Sequence, residues 1–184
     1  NYTISAGQTT TANITGKSLI VSGITAPNKT YDGNTNAPLD ISNISYSGLV
    51  SGDDIGGSFS GAFENKNIGT SKTVSISASY SGVDSGNYTV TDQSSTTAAI
   101  VKKSLTATTS SSNKTYNGDA TATTTLSFSG LVGSETLGQS VSSTFNNKNV
   151  GTGKTVTVNS ITLSDGSNGG LASNYTISAG QTTT

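Results

Sequence analysis

The chain has 184 residues, a formal net charge of −1, and only 10% charged residues. All nine of its positive charges are lysines, and Cys, His, Met and Trp are absent. This composition excludes a disulfide framework, thiolate chemistry and a histidine general base, and it offers no basic surface for nucleic acid. No apolar run approaches the roughly 20 residues that span a bilayer, so we expect no membrane insertion. We find no signal peptide and interpret the chain as an internal or mature segment.

Four short motifs each occur twice along the chain, and self-similarity at a long, regular period is the signature of a repeat protein. The eleven residues NYTISAGQTTT also occur at both 1–11 and 174–184. The repeated motifs are residues 28–33 with 113–118, 47–50 with 129–132, 65–70 with 147–152, and 87–89 with 174–176.

These repeats divide the chain into three parts. We predict that residues 1–18 are the C-terminal segment of a preceding module, that 19–104 form the first full module, and that 105–184 form a second module with a truncated closing strand. Residues 11–15 are the counterpart of 97–101, which close the first module. We therefore expect the 1–18 segment to add strands or to cover an exposed sheet edge, including an edge of another copy, because uncovered edges pair readily.

Short alternating runs of Val, Ile, Thr, Tyr and Phe predict half-buried strands, and the many glycines suit a chain with frequent turns. The fold class expected is mostly β: two tandem, elongated modules, each a small Ig-like β-sandwich or, alternatively, a β-grasp-like sheet. One short helical turn is predicted near residues 48–54. The predicted strands are residues 2–5, 18–22, 41–46, 57–63, 73–80, 88–91, 98–101, 104–108, 123–128, 141–145, 155–163 and 175–178.

The repeated motifs supply candidate residues with structural roles, and none of them suggests a catalytic, cofactor-binding or metal site. Tyr31 and Tyr116 are interpreted as rings packed on a sheet beside a turn, with ligand stacking as the alternative. Lys66 and Lys148 are interpreted as lysines with packed stems, with an isopeptide crosslink as the alternative. The candidate structural residues are Tyr31, Gly33, Lys66, Gly69, Tyr88, Tyr116, Gly118, Lys148, Gly151 and Tyr175.

Four acidic residues of the first module are possible calcium ligands, because calcium takes six to eight oxygen ligands. The group has no EF-hand or nonapeptide spacing, and the second module does not reproduce it. We therefore interpret its members as solvated loop residues, and we expect no metal and no cofactor. The four residues are Asp53, Asp54, Glu64 and Asp84.

The paired motifs resemble the YDG-type repeat of large bacterial surface proteins, and the central Ser-Gly-Leu-Val-Ser-Gly-Asp segment at 47–53 is also similar to MBG-type repeats. Such repeats occur in tandem in filamentous-haemagglutinin-like adhesins. The resemblance implies display at the bacterial cell surface, a stalk or adhesion role, and no catalytic residue. The second module departs from the first at Asn117, where the first has Asp32, and at 134–135 against 53–54, which puts an acidic function there in doubt.

Two functions follow from this resemblance. The first is an extracellular stalk or spacer that holds a distal binding region away from the cell, with neighbouring modules of the same chain as partners. The alternative is direct adhesion to a host glycan, a matrix protein or a like copy in a biofilm. Such a binding site is expected on the loops at 53–60 and 165–172, which differ most between the modules, because loops on rigid scaffolds carry function. The absence of His and Cys argues against an enzyme.

Overall fold

The computed structural model describes residues 2–4, 6–177 and 182–183. The mostly β fold with two tandem modules is confirmed. Helical elements in the described residues are two 3-10 turns, Ser85–Asn87 and Ala172–Asn174. No helix among them is long and apolar enough to cross a membrane. The helical turn predicted near residues 48–54 is wrong, because Gly48 and Gly52 there have φ of 101° and 99°. Such values belong to the left-handed region, which a right-handed helix does not include.

The first module is built from two sheets. One has the order β4-β1-β7 and the other the order β2-β8-β6-β5-β3. The β1–β7 and β2–β8 pairs are parallel, and the remaining pairs are antiparallel. The strands are β1 Lys17–Ser22, β2 Lys29–Thr30, β3 Asn36–Ala37, β4 Ser45–Ser47, β5 Gly56–Phe63, β6 Gly69–Ser81, β7 Tyr88–Thr91 and β8 Ser95–Val101.

The second module repeats this arrangement with sheets of order β10-β9-β13 and β11-β12-β14. The parallel β9–β13 pair matches β1–β7, and the antiparallel β11–β12 pair matches β5–β6. Two sheets per module favour the sandwich, since a grasp needs a helix across one sheet and the described residues contain only 3-10 turns. The strands are β9 Lys103–Ser111, β10 Thr124–Ser129, β11 Leu137–Phe145, β12 Val156–Asp165, β13 Tyr175–Ile177 and β14 Thr182–Thr183.

The period-two alternation of the sequence is reproduced in the burial of the long strands. In β6, Val74 is buried while Thr73 and Ser75 on either side are exposed. In β12, Val156 and Val158 are buried around an exposed Thr157. The long strands β6 and β12 therefore turn apolar side chains to the core and hydroxyl side chains to water, as expected for strands of a sheet that faces water on one side.

The N-terminal tail differs from its prediction as a strand. Residues 2–4 form no strand, and residue 5 lies outside the described residues, as does residue 178 of the last predicted strand. Tyr2, Ile4 and Ile14 are fully or almost fully exposed. A β-propensity pattern needs a neighbouring strand to pair with, and among the described residues none is paired with this tail. The predicted strand at 41–46 is shorter for a local reason, because Asp40 and Ile41 close a turn before β4.

Ile100 and Ile14 form a matched pair for testing what β8 contributes, since they hold corresponding positions and differ in burial. Ile100 is 2% exposed, whereas Ile14 is fully exposed. We expect Ile100→Ala to lower the free energy of unfolding by about 2–5 kcal/mol, the usual cost of emptying a core site. Ile14→Ala is expected to change it by less than about 0.5 kcal/mol. Chemical denaturation followed by tyrosine fluorescence measures both, and equal losses would contradict the assignment of β8 to the core.

Candidate functional site at the module junction

The first repeated motif forms a loop that closes around the ammonium group of Lys29. Its Nζ donates to Asp32 Oδ1 at 2.8 Å and to the carbonyl oxygens of Asn34 at 2.9 Å and Asn36 at 2.8 Å. Gly33 has a φ of 81°, a left-handed value that glycine adopts without the steric cost of a Cβ. The motif therefore encodes a tight loop with an internal cation, and the tyrosine between Lys29 and Asp32 is held at its base.

Two hydrogen bonds anchor this loop to the closing strand of the same module. Asn28 Oδ1 accepts from the backbone N–H of Ala99 at 2.7 Å, and the backbone N–H of Tyr31 donates to Val101 O at 2.9 Å. The Tyr31 side chain is 1% exposed. Since β8 leads directly into β9 of the second module, this anchoring places the Tyr31 ring at the border between the modules.

The second motif is a turn held by another lysine. Asn65 Oδ1 accepts from the backbone N–H of Asn67 at 3.1 Å and from Lys72 Nζ at 2.9 Å. Lys72 is buried, and it also forms a salt bridge of 3.3 Å with Glu64. A Cβ on Gly69 would lie 3.1 Å from Lys72 Cγ, so the glycine leaves room for this lysine. The turn presents Lys66 and the residues after it to the second module.

The remaining two motifs, in their second-module copies, form the opposing surface. Tyr175 OH accepts from the backbone N–H of Val132 at 3.1 Å and donates to Glu135 Oε2 at 2.6 Å. Glu135, Asn174 and Tyr175 are all buried. We name the surface made by Tyr31, Lys66, Asn67 and Ile68 the lysine face, and the surface made by Val132, Glu135, Asn174 and Tyr175 the carboxylate face.

The carboxylate of Glu135 joins the two faces. Its Oε1 accepts from Tyr31 OH at 2.7 Å and from Lys66 Nζ at 2.9 Å, while Oε2 accepts from Tyr175 OH. The Tyr31 and Tyr175 rings meet edge to face at 5.4 Å and 80°, a favourable aromatic geometry. Lys66 Nζ lies 5.9 Å from the centroid of the Tyr31 ring, within cation–π range. Every donor around the carboxylate is thus fixed by another contact.

Asn174 makes a second polar link beside the carboxylate. Its Oδ1 accepts from the backbone N–H of Ile68 at 3.1 Å, and its Nδ2 donates to Asn67 Oδ1 at 3.1 Å. Asn174 is 0% exposed. A buried amide is costly unless its donors and acceptors are used, so this pairing fixes the position of the turn at Asn67 against the second module.

Apolar packing also continues across the junction. Leu105 and Tyr175 of the second module belong to the same buried cluster as Tyr31, Phe63 and Ile100 of the first. At the edge of this cluster, a Cβ on Gly33 would lie only 2.6 Å from Val132 Cγ1. The two modules therefore share a core at the junction and make close contact at Gly33.

The electrostatics of the cluster follow from burial and hydrogen bonding. Burial alone would raise the pKa of Glu135, but hydrogen bonds from Tyr175, Tyr31 and Lys66 outweigh it and hold the pKa below its ordinary value. Burial and the hydrogen bond to Glu135 raise the pKa of Tyr175 to about 12 and also raise the pKa of Tyr31. The hydrogen bond to Glu135 raises the pKa of Lys66. At neutral pH the cluster therefore holds an ionised carboxylate, two neutral phenols and a charged lysine.

Both faces occur again at the outer ends of the two modules. In the first module, Tyr88 OH donates to Asp53 Oδ2 at 2.5 Å and accepts from the backbone N–H of Val50 at 3.0 Å, which reproduces the carboxylate face. In the second module, Tyr116 and Lys148 hold the positions of Tyr31 and Lys66 on the lysine face. Both residues are exposed, and Tyr116 is 58% exposed.

The structure brings four of the ten candidate structural residues together at the junction: Tyr31, Gly33, Lys66 and Tyr175. Gly69 and Gly151 lie beside the lysines that hold their turns, Lys72 and Lys154. Tyr88 lies on the carboxylate face of the first module, and Tyr116, Gly118 and Lys148 lie exposed at the free end of the second.

Two expectations about these residues need correction. Tyr116 does not pack into a sheet as Tyr31 does, because a partner module buries Tyr31 and no described residue covers Tyr116 in the same way. The alignment of 134–135 with 53–54 is also wrong. Glu135 corresponds to Asp53, because each accepts from the tyrosine OH of its own module. Both modules therefore have an acidic residue at this position, and in both it accepts a hydrogen bond from the tyrosine.

Glu135 and Asn174 are the functional residues that sequence reasoning missed. The available signal was their spacing, since an acid follows three residues after Val50 and after Val132, and an Asn precedes Tyr88 and Tyr175.

The acidic residues considered for calcium serve as local hydrogen-bond acceptors. Asp53 binds Tyr88, Glu64 pairs with Lys72, and Asp84 Oδ2 accepts from the backbone N–H of Asp54 at 2.9 Å. The described residues contain no group of three or more acidic, His or Cys side chains arranged to hold a metal ion. Lys66, considered for an isopeptide crosslink, forms a salt bridge with Glu135.

The fold and the junction define a class of tandem β-rich repeat protein in which successive modules share a core. The YDG domain model matches residues 15–98 and 101–184, so the chain belongs to the YDG domain family and contains two copies in tandem. No curated protein and no solved structure matches the chain significantly.

The pH dependence of stability tests the cluster. Folding lowers the pKa of Glu135, so the ionised carboxylate adds to the free energy of unfolding. This contribution is fully present above the pKa in the unfolded chain, roughly 4.3, and it is lost as the pH falls through the lower pKa in the folded chain. Asp32, Asp40 and Asp119 also have lowered pKa values, so a reference variant is needed. We expect the difference in Tm between the wild type and Glu135→Gln to be largest near pH 7 and to shrink below about pH 4. A difference independent of pH would contradict an ionised Glu135.

Gly33 and Gly118 provide a matched test of the close contact at the junction. Both have positive φ, but a Cβ on Gly118 would meet nothing within 4 Å. We expect Gly118→Ala to cost about 1 kcal/mol of unfolding free energy from backbone strain. Gly33→Ala adds the overlap with Val132 and is expected to cost about 1–3 kcal/mol more. Denaturant titration of both variants measures this, and equal losses would count against direct contact at Gly33.

Proposed function

We propose that this chain is a spacer whose modules are joined at a fixed angle, so that length accumulates along a tandem array. The observation that carries the proposal is the junction itself, where Glu135 accepts hydrogen bonds from both modules inside a continuous core. A flexible linker would need neither the shared core nor the buried carboxylate. Only Lys102 separates β8 from β9, which further limits bending.

We also propose that the spacer is part of a bacterial cell-surface adhesin and holds a distal binding region away from the cell. The YDG membership and the resemblance of its motifs to adhesin repeats support this setting. The sparse charge and the hydroxyl-rich outer faces of the sheets suit a stalk that needs folding and low stickiness more than a binding site of its own.

Distance measurement between the modules tests the fixed angle. Because the chain has no cysteine, Ser77→Cys in β6 and Ser160→Cys in β12 can carry spin labels at two exposed positions. We expect a single narrow distance distribution by double electron–electron resonance. Glu135→Ala leaves Tyr31, Lys66 and Tyr175 without their acceptor, at a cost of about 3–5 kcal/mol, and is expected to broaden the distribution.

Asp53→Ala is the matched control, since it removes the corresponding carboxylate from the outer end of the first module. It is expected to leave the distance distribution unchanged. A broad distribution in the wild type would overturn the fixed joint.

At the level of the whole adhesin, a spacer predicts that any folded module of equal length restores adhesion after deletion. Loss that tracks substitutions in the 53–60 or 165–172 loops would instead favour direct binding.

A further inference from the structure

Two segments of the first module lie side by side and run in the same direction. We name residues 17–31 the opening segment and residues 88–101 the closing segment. β1 of the opening segment is parallel to β7 of the closing segment, and β2 is parallel to β8. In both pairs a residue lies opposite the one 71 positions further along the chain, as Lys17 lies opposite Tyr88. The two segments therefore keep one register, although both pass from the smaller sheet to the larger one.

The change of sheet interrupts the backbone pairing, and the Gln93 side chain bridges the interruption. Its Oε1 accepts from the backbone N–H of Ile24 at 3.0 Å, and its Nε2 donates to Ile24 O at 2.6 Å. The same Nε2 donates to Ser95 O at 3.2 Å, which ties the amide to its own segment. Ile24 is 2% exposed, so its backbone groups need partners inside the protein. Gln93 thus takes the place of a paired strand residue between the two ladders.

The opening segment is also held on either side of this bridge. The two hydrogen bonds that anchor the 28–31 loop to β8 hold its end. The side chains of Leu19, Val21 and Ile24 are buried in the core. Sliding one segment along the other would break the backbone pairing and the Gln93 bonds together, and it would withdraw these apolar side chains from the core.

Tension along the chain pulls the two segments in opposite directions. The opening segment is pulled at its beginning, Lys17, and the closing segment is pulled at its end, Val101. Because the segments are parallel, both forces act along the strands and load all of the bonds between them at once. An antiparallel hairpin pulled apart at its open end loses its bonds one after another. Residues 32–87 lie between the two segments in the chain and bear load only after the segments separate.

The second module begins with the same pairing. Lys103, Ser104 and Leu105 of β9 lie opposite Tyr175, Thr176 and Ile177 of β13 in a parallel ladder. Only Lys102 separates the closing segment from β9. A load that leaves the first module at Val101 therefore enters a parallel pair of the second module directly.

We propose that the first module bears tension along the chain, that its opening and closing segments form a clamp loaded in shear, and that Gln93 completes this clamp. The proposal rests on the spacer function for the direction of the load, since a stalk is pulled along its chain. Forced unfolding depends on the rate of unfolding rather than on the equilibrium free energy. A clamp whose bonds break together lowers that rate under load, so the spacer keeps its length when its ends are pulled.

The direction of pulling tests the clamp. Because the chain has no cysteine, two added cysteines define where DNA handles attach for optical tweezers under reducing conditions. Lys17→Cys with Lys102→Cys loads the first module alone, in shear. Lys17→Cys with Thr89→Cys pulls on the same end of both segments and peels them apart. All three residues are exposed. We expect peeling to need about half the force of shear or less, and equal forces would overturn the clamp.

Gln93→Leu tests the bridge, because leucine has a similar volume but cannot pair with the Ile24 backbone. At constant load in the shear direction, the variant is expected to unfold about tenfold faster than the wild type. In the peeling direction its rate is expected to be unchanged, because the bonds between β1 and β7 break first. A residue that only stabilises the fold would change both rates, and an unchanged rate in shear would overturn the role of Gln93.

Phe59→Ala is the control for a loss of stability outside the clamp. Its ring packs edge to face on Tyr80 at 6.1 Å, and both residues belong to the β5–β6 hairpin. The variant is expected to lower the midpoint of chemical denaturation and to leave the unfolding rate in shear within about twofold of the wild type. An acceleration in shear as large as that of Gln93→Leu would count against the clamp.

The clamp and the fixed joint can fail separately. Handles at positions 17 and 102 do not load the second module, so a broad distance distribution between the spin labels in β6 and β12 would overturn the joint and leave the clamp standing. A first module that unfolds at the same force in both directions would overturn the clamp and leave the joint standing.

Discussion

The arrangement of the two modules depends on one buried carboxylate. An ionised carboxylate in a core is strongly unfavourable unless hydrogen bonds replace its lost water. Glu135 receives three such bonds, two from the first module and one from the second. Its stability therefore requires both modules to be present in a single relative position. The two tyrosines that donate to Glu135 are also fixed in position. The backbone N–H of Tyr31 donates to Val101 O of β8, and Tyr175 OH accepts from the backbone N–H of Val132.

The polar cluster and the apolar contacts have different roles at the junction. Leu105, Ile100 and the two tyrosine rings bury surface that favours association of the modules, but such contacts tolerate sliding and rotation. The Glu135 carboxylate and the Asn174 amide accept only one geometry, since a small displacement would leave buried polar atoms unpaired. The apolar contacts thus stabilise the joint, and the polar contacts set its angle.

The local sequence predicts most of the strands, but it does not predict the contacts between the modules at the junction. Strands such as β6 and β12 were predictable because their alternation is encoded residue by residue. Two similar modules were predictable because the four motifs occur twice in the same order. Tyr31 and Tyr116, however, lie in nearly identical motifs, and one is buried while the other is exposed. Their difference arises from a partner about a hundred residues away in sequence, which a local pattern does not contain. Glu135 was missed because its role exists only when both modules meet.

The two carboxylate faces differ in one respect that bears on any longer array. Glu135 at the internal junction is replaced by Asp53 at the outer end, which shortens the carboxylate arm by one methylene, and Ile68 is replaced by Val150 on the lysine face. The outer faces therefore carry a shorter acid and a smaller apolar residue than the faces at the internal junction. In the tandem array that we propose, a joint between two outer faces would pair these two smaller residues, as the internal junction pairs Glu135 with Ile68. The two kinds of joint would then alternate, so that the physical repeat would be a pair of modules rather than a single one.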